Sequence, residues 1–187
     1  MRLAGFILAL VLLFAPAWAS ADEAIWALLK SGGQVVIMRH AATVPNVPDT
    51  LGAGGCSSQR NLSEAGREAA RRIGAAFRAR GITVEDVRAS VWCRCMDTAR
   101  LAFGPVTNWP ALDSFFRDRS REAAQMREVR ELIRRHSGGT LVLVTHQVNI
   151  TALTGLFPDE GEMLILTPRG DDFVVAGRLK PSEVSAN

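Results

Sequence analysis

The chain has 187 residues, of which 48% are apolar and 22% are charged, with 22 Lys and Arg against 19 Asp and Glu. This composition excludes a disordered chain, and the length suits one domain with a substantial core. The net charge of +3 is too small to indicate a nucleic-acid-binding protein. The 3 cysteines are too few for a framework of several disulfides or for a zinc site made of four cysteines.

The first 19 residues have the pattern of a signal peptide. Arg2 precedes an unbroken apolar run from Leu3 to Ala15, which is shorter than a usual membrane span. Ala17-Trp18-Ala19 fits the pattern of a cleavage site, and a cut after Ala21 is the alternative. We therefore expect a periplasmic or secreted protein with a single domain over residues 20–187, or, as the alternative, an uncleaved membrane anchor.

Predicted helices and strands alternate along the rest of the chain. In chain order they are a helix (Asp22–Leu29), a strand (Gln34–Met38), a long loop (Ala41–Asn61), a helix from Ser63 to Gly81, a strand (Val84–Trp92), a helix (Met96–Phe103), a charged helix (Arg117–His136), a strand (Leu141–Val144), a helix (Val148–Leu153) and a strand pair (Met163–Thr167 and Phe173–Leu179). This order predicts a three-layer α/β/α domain with a mostly parallel central sheet. In such sheets ligands bind outside the carboxyl ends of the strands.

Two of these helices are amphipathic, and their apolar residues predict which face is buried. The predicted inner faces are Ala65, Ala69, Ile73 and Phe77 in the helix after Ser63, and Met126, Val129 and Ile133 in the charged helix.

Arginine and histidine residues follow three of the predicted strands. Arg39 and His40 follow the first strand, Arg94 follows the second, and His146 follows the most apolar one. Each guanidinium can hold two phosphoryl oxygens at once, and a neutral imidazole nitrogen is a good nucleophile. A second, protonated imidazole can stabilise developing negative charge. This set predicts phosphoryl transfer through a phosphohistidine without a metal or cofactor. His136 ends a charged helix and is expected to be a surface residue.

Four segments resemble motifs of the histidine phosphatase superfamily, branch 1, which has the phosphoglycerate mutase-like fold. They are Arg39-His40, the "LSxxG" segment Leu62-Ser63-Glu64-Ala65-Gly66, the Ser-x3-Arg-x3-Thr-Ala segment Ser90–Ala99, and Val144-Thr145-His146. The resemblance implies that His40 is the phosphorylated nucleophile and that Arg39, Arg94 and His146 hold the phosphate. It also implies a hydroxyl near the phosphate at Thr43. The remaining candidates for substrate contact are Arg60 and Asn61, with a solvated loop as the alternative.

The sequence departs from the family pattern at the proton donor. Many members carry a Glu some distance after the second Arg, and here that stretch reads Leu112-Asp113-Ser114-Phe115-Phe116. Asp113 is the candidate general acid, Asp118 is a second candidate, and a turn residue is the alternative for Asp113. Without an acid, the enzyme would be restricted to substrates with good leaving groups, such as phosphohistidine or acyl phosphates.

Cys56 is expected to pair with Cys93 or Cys95 in an oxidising compartment, which leaves one free thiol. We expect an exported phosphatase that acts on a small-molecule or envelope-glycan phosphomonoester. A catalytically weak phosphate-binding or sensing protein with the same fold is the alternative. No nucleic-acid partner and no membrane span after signal cleavage are expected.

Overall fold

The computed structural model describes residues 21–49 and 55–184. The predicted signal peptide, residues 1–19, lies outside the described residues. Within those two ranges, no helix combines the length and the apolar character needed to cross a membrane.

Helices and strands alternate along the described ranges, as predicted. The helices are α1 (Ala21–Lys30), α2 (Glu64–Ala79), α3 (Cys93–Phe103), α4 (Glu122–Arg135) and α5 (Gln147–Thr154); the strands are β1 (Val35–Arg39), β2 (Val84–Ala89), β3 (Thr107–Asn108), β4 (Thr140–Thr145), β5 (Met163–Arg169) and β6 (Asp172–Leu179). Short 3-10 helices occur at Gly55–Ser58, Pro110–Leu112 and Arg119–Arg121.

The strands form one mixed sheet in the order β3-β2-β4-β1-β5-β6. The first four are parallel neighbours, and β5 and β6 add an antiparallel hairpin at one edge. Because β4 lies between β1 and β2, the carboxyl ends of these three strands meet at one edge of the sheet. The predicted fold class is confirmed.

Helices cover both faces of the sheet, which makes the domain three layers thick. Side chains of β1 point alternately to the two faces because successive residues of a strand do so. Val36 and Met38 pack in a core with α1, α2 and α3. Val35 and Ile37 pack in a second core with α4 and α5.

The buried stripe of α2 differs from the prediction in its first two turns. Ala65 is exposed, whereas Gly66 and Ala70 are buried. The first turn packs directly on the backbone of Ala42, where a Cβ at residue 66 would overlap the Ala42 carbonyl oxygen. Only glycine permits this approach, so the helix turns its glycine inward. Farther along, the predicted inner residues Ile73 and Phe77 are buried.

The connection between β2 and α3 is shorter than predicted. The strand ends at Ala89 and the helix begins at Cys93, three residues before its predicted start at Met96. Arg94 therefore lies in the first turn of a helix and not in a loop. Helical geometry then fixes the direction in which its side chain leaves the backbone.

A disulfide joins Cys56 to Cys93 across 37 residues of sequence. It connects the 3-10 helix of the long loop to the first residue of α3. A hydrogen bond of 2.8 Å from the Cys93 backbone N–H to Oε1 of Gln59 joins the same loop to the same helix. Of the two pairings left open by the sequence, the structure has the one with Cys93, and Cys95 is a buried thiol.

Replacing both Cys56 and Cys93 by Ser should lower the free energy of unfolding by roughly 2–4 kcal/mol, because the bond restricts the unfolded chain. Denaturant unfolding of the two proteins measures the difference. Reduced wild-type protein should unfold at the same denaturant concentration as the double variant, and reductant should not change the variant. Equal stability of oxidised wild type and variant would contradict this account of the bond.

Candidate active site

Parallel strand pairing brings the two predicted histidines together. His40 follows β1 and His146 follows β4, and these neighbouring strands pair Arg39 with Thr145 at their ends. The backbone N–H of His40 donates to the Thr145 carbonyl at 3.0 Å. The centroids of the two imidazole rings lie 5.5 Å apart. Residues far apart in sequence thus meet because the sheet aligns the ends of their strands.

Both rings line one cavity of about 330 Å³ at this edge of the sheet. The cavity is lined by Arg39, His40, Asp49, Arg60, Trp92, Arg94, Ser114, Phe116, Arg117, His146, Gln147 and Val148. The four residues that the sequence predicted to bind a phosphoryl group, together with Arg60, therefore share one space.

The hydrogen bond of His40 defines which of its nitrogens is available. Nδ1 of His40 lies 3.0 Å from the carbonyl oxygen of Ala41. A carbonyl only accepts, so Nδ1 carries the hydrogen and the lone pair is on Nε2. Burial, followed by the charges of Arg94 and Arg39, lowers the pKa of His40 to about 3 despite the opposing effect of the Ala41 hydrogen bond. The ring is therefore neutral near pH 7, with a nucleophilic Nε2.

His146 is equally buried, with 4% of its surface exposed. Nη2 of Arg94 lies 3.4 Å from its Nδ1. Burial, followed by electrostatic coupling to His40 and by the charge of Arg94, lowers the pKa of His146 well below its usual value. Both rings are therefore neutral before an anion arrives.

The guanidiniums at the cavity have unused donors. Arg94 stacks over the Trp92 ring, with 4.5 Å from Cζ to the ring centroid. The Nε atoms of Arg39, Arg60 and Arg94 are buried without a hydrogen-bond partner. A buried donor without a partner costs about 1–3 kcal/mol. An anion in the cavity can offset that cost and neutralise the positive charge.

Asp49 was not identified from the sequence, yet it contacts the centre of this cluster. Its Oδ1 accepts hydrogen bonds of 3.0 Å from Nη1 of Arg94 and from the backbone N–H of Arg60. Nη2 of Arg117 donates to its backbone carbonyl at 2.8 Å. No periodicity or motif marks an Asp in an irregular loop, so only the folded loop reveals this contact.

Three predicted site residues lie elsewhere. Thr43 donates to Oε1 of Glu160 at 2.9 Å, and Nδ2 of Asn61 donates to the Cys56 carbonyl at 2.7 Å. Neither side chain lines the cavity. Asp113 is 8% exposed and accepts hydrogen bonds from Oγ of Ser90 and the backbone N–H of Val91. It does not line the cavity either, since its carboxylate lies behind His146.

Other motif residues build the scaffold. Oγ1 of Thr98 accepts from the Ala41 backbone N–H at 3.0 Å and donates to the Arg94 carbonyl at 2.7 Å. It therefore joins the end of β1 to the first turn of α3. Within the described ranges, no three His, Cys, Asp or Glu side chains are grouped in a way that could hold a metal ion.

The two neutral imidazoles should make the fold sensitive to acid. A histidine in the unfolded chain takes up a proton near pH 6.5, whereas folded His40 resists protonation down to about pH 3. The part of the free energy of unfolding that depends on this pKa difference is fully present above the pKa of the unfolded histidine. It is lost as the pH falls below that pKa, by up to about 1.4 kcal/mol per pH unit.

His40→Asn should remove this pH-dependent contribution. Its stability relative to wild type should therefore improve by about 2–3 kcal/mol between pH 7.5 and pH 4.5. Urea unfolding at both pH values measures the change, and parallel pH curves would contradict it.

The comparisons with known proteins agree with this geometry. The model of the histidine phosphatase superfamily (branch 1) matches residues 35–119, which include Arg39, His40 and Arg94. A comparison with curated proteins finds no match.

Several solved structures share the fold. The protein histidine phosphatase SixA, solved with tungstate, is 15% identical with a TM-score of 0.58, and the alignment covers 81% of this chain and 99% of SixA. A phosphoserine phosphatase from Entamoeba histolytica is 11% identical with a TM-score of 0.59, covering 81% and 98% of the two chains. A phosphoglycerate mutase from Bacillus anthracis is 14% identical with a TM-score of 0.59, covering 82% and 95%. At these identities the likeness concerns the fold. The family match over residues 35–119, the phosphoglycerate mutase-like sheet and the four motifs agree, and the resemblance to the histidine phosphatase superfamily, branch 1, is confirmed.

Proposed function

We propose that the chain is an exported, metal-independent phosphatase that hydrolyses a phosphomonoester through a phosphohistidine on His40. The observation that carries the proposal is the hydrogen bond from Nδ1 of His40 to the Ala41 carbonyl, which leaves the Nε2 lone pair available in a cavity rich in guanidinium groups. Solved proteins with this fold include phosphatases and a mutase.

The proposed reaction has two displacements at phosphorus. Nε2 of His40 attacks, the bond from phosphorus to the leaving oxygen breaks, and the leaving group departs with its electron pair. Water then attacks the phosphohistidine, its proton passes to solvent, and the lone pair returns to Nε2. Arg39 and Arg94 hold the equatorial oxygens, where their charge stabilises both transition states.

The substrate of an exported enzyme would be a small-molecule or envelope-glycan phosphomonoester. The cavity offers an apolar side as well as a charged one. Phe116, which is 75% exposed, lines it together with Trp92 and Val148. These side chains can contact the leaving group while the arginines hold the phosphate.

His40→Ala and Arg94→Ala should each reduce turnover to the background rate, because one removes the nucleophile and the other removes a guanidinium from the transferred group. Turnover of an aryl phosphate by purified protein measures this effect, with His136→Ala as the control, since His136 lies away from the cavity. A brief reaction with phosphorus-labelled substrate should label wild type but not His40→Ala. Full activity of either variant, or inactivation by a chelator that zinc reverses, would contradict the proposal.

In the part of the chain that the structure describes, no carboxylic acid at the cavity is available to protonate a leaving alcohol. Among the described residues that line it, Asp49 alone carries a carboxyl group, and Arg94 and the Arg60 backbone bind it. A general acid usually contributes about 10²–10⁴ in rate. We therefore expect kcat/KM for aryl phosphates to exceed that for alkyl phosphates by a factor in that range.

Asp49→Asn tests this expectation directly. The variant should keep the same ratio of aryl to alkyl turnover. It should also be inhibited more strongly by inorganic phosphate, because Arg94 loses a competing anion. If the variant instead loses alkyl phosphate turnover selectively, Asp49 is the proton donor.

A catalytically weak phosphate-binding or sensing protein remains the second candidate, and the lack of an available acid favours it. The two functions differ in turnover. A sensor would bind phosphate in both wild type and His40→Ala but would release no alcohol or phenol from any phosphomonoester, including those with good leaving groups.

A further inference from the structure

A chain of hydrogen bonds leads away from the cavity behind His146. Nε2 of His146 lies 3.0 Å from Oγ of Ser90, and that hydroxyl donates to Oδ1 of Asp113 at 2.9 Å. The same Oδ1 accepts the backbone N–H of Val91 at 2.8 Å. His146, Ser90 and Asp113 are each at most 8% exposed. The chain is therefore shielded from water along its length.

The donors and acceptors in this chain have one consistent direction. An ionised carboxylate only accepts, so Asp113 takes the single hydrogen of the Ser90 hydroxyl. Oγ of Ser90 then accepts from His146, which places a hydrogen on Nε2. Arginine only donates, so the contact of 3.4 Å from Nη2 of Arg94 to Nδ1 of His146 requires the lone pair to be on Nδ1. His146 and His40 are therefore opposite tautomers.

The backbone around Asp113 is held in place from three elements. Its carbonyl accepts hydrogen bonds from Nε2 of Gln125 in α4 at 3.1 Å and from Nδ2 of Asn149 in α5 at 3.0 Å. The preceding carbonyl, of Leu112, accepts from Oγ1 of Thr145 at the end of β4 at 2.6 Å. The carboxylate is thus fixed relative to the strand that precedes His146.

We propose that Asp113, acting through Ser90, is a positioning residue that orients His146 and stabilises its protonated form when a phosphoryl group binds. The proton comes from solvent and is added to Nδ1, whose N–H then donates to a phosphoryl oxygen. Nε2 keeps its hydrogen and its bond to Ser90. This role rests on the proposed function and replaces the direct proton transfer to the leaving group that the sequence predicted for Asp113.

The charges around His146 explain why such support is needed. The titratable and charged groups around it are the cations Arg39, Arg60, Arg94 and Arg117, the Asp49 carboxylate, the neutral ring of His40, the buried thiol of Cys95, whose Sγ is 3.5 Å from Nε2, and Asp113 through Ser90. Nη2 of Arg121 lies 3.8 Å from the other carboxylate oxygen of Asp113. The cations oppose a positive imidazole in the empty cavity. A bound dianion reverses that balance, and the carboxylate behind Ser90 is the fixed negative group on the opposite side of the ring.

The first test is the tautomer of His146 in the ligand-free protein, measured by 15N NMR of the imidazole nitrogens. We expect hydrogen on Nε2 of His146 and on Nδ1 of His40. Asp113→Asn should disturb the tautomer of His146 and leave the tautomer of His40 unchanged. Hydrogen on Nδ1 of His146 in wild type would overturn the proposal. This measurement does not require turnover, so an inactive protein with the expected tautomers would refute the phosphatase function alone.

The second test is the number of protons taken up when tungstate, a dianion, binds at pH 8. Calorimetry in buffers of different ionisation enthalpy measures that number. Wild type should take up close to one proton, and Asp113→Asn and Ser90→Ala should take up distinctly less. Asp118→Asn is the matched control, because this exposed carboxylate only caps the 3-10 helix through Ser120. Equal uptake by all four proteins would overturn the proposal.

The third test is kinetic. Asp113→Asn and Ser90→Ala should each lower kcat by about 10–10²-fold and raise KM by a smaller factor, because the protonated imidazole contacts the phosphoryl group on binding and more strongly in the transition state. The double variant should be no worse than the more impaired single variant, since both substitutions interrupt one path. Ser90→Thr, which keeps the hydroxyl, should recover activity, and the alkaline limb of kcat should move to lower pH in Asp113→Asn. Additive losses, or losses that follow thermal stability alone, would show a merely structural role.

Discussion

The site depends on the burial of positive charge without an equal amount of negative charge. Guanidinium groups of Arg39, Arg60 and Arg94 meet at a cavity where Asp49 is the one described carboxylate in the lining. Oε1 of Glu160, which does not line the cavity, lies 3.8 Å from Nη2 of Arg39 and 4.0 Å from Nδ1 of His40. Such an arrangement is unfavourable in the empty protein and becomes favourable when an anion enters. The two imidazoles are neutral chiefly because they are buried, and the neighbouring guanidinium charges lower their pKa further.

Strand pairing in the sheet fixes the positions at which these charged groups meet. β4 is buried along its whole length and pairs with β1 and β2 on its two sides. His40, Ser90 and His146 each directly follow one of these strands, so backbone pairing sets the spacing of their side chains. Burial of apolar side chains in the two cores, one on each face of the sheet, offsets the free-energy cost of the charged cavity.

The sequence predicted the fold and the central residues of the site for physical reasons that can be named. Buried parallel strands are continuous apolar runs, and the residues that follow them must share one edge of the sheet, which is how His40 and His146 could be placed together. The LSxxG segment also has a local explanation, because Ser63 caps α2 and Gly66 permits contact with Ala42. The resemblance to the histidine phosphatase superfamily is confirmed by the family match.

Contacts made by irregular segments could not be predicted in this way. Asp49 reaches Arg94 only because a loop without periodicity folds over the cavity. Thr43 is turned towards Glu160, which the sequence places more than a hundred residues away. Asp113 was singled out by its distance from Arg94 along the chain, but a side chain one residue from an expected position points in another direction, and here it meets Ser90.

The disulfide between Cys56 and Cys93 makes the structure of the cavity wall depend on the redox conditions around the protein. It fastens the loop that carries Arg60 to the helix that carries Arg94. When this bond is reduced, the two segments lose their covalent connection, so the positions of Arg60 and Arg94 relative to each other depend on the oxidation state of two cysteines. Anion binding by the cavity is therefore coupled to thiol chemistry at its wall.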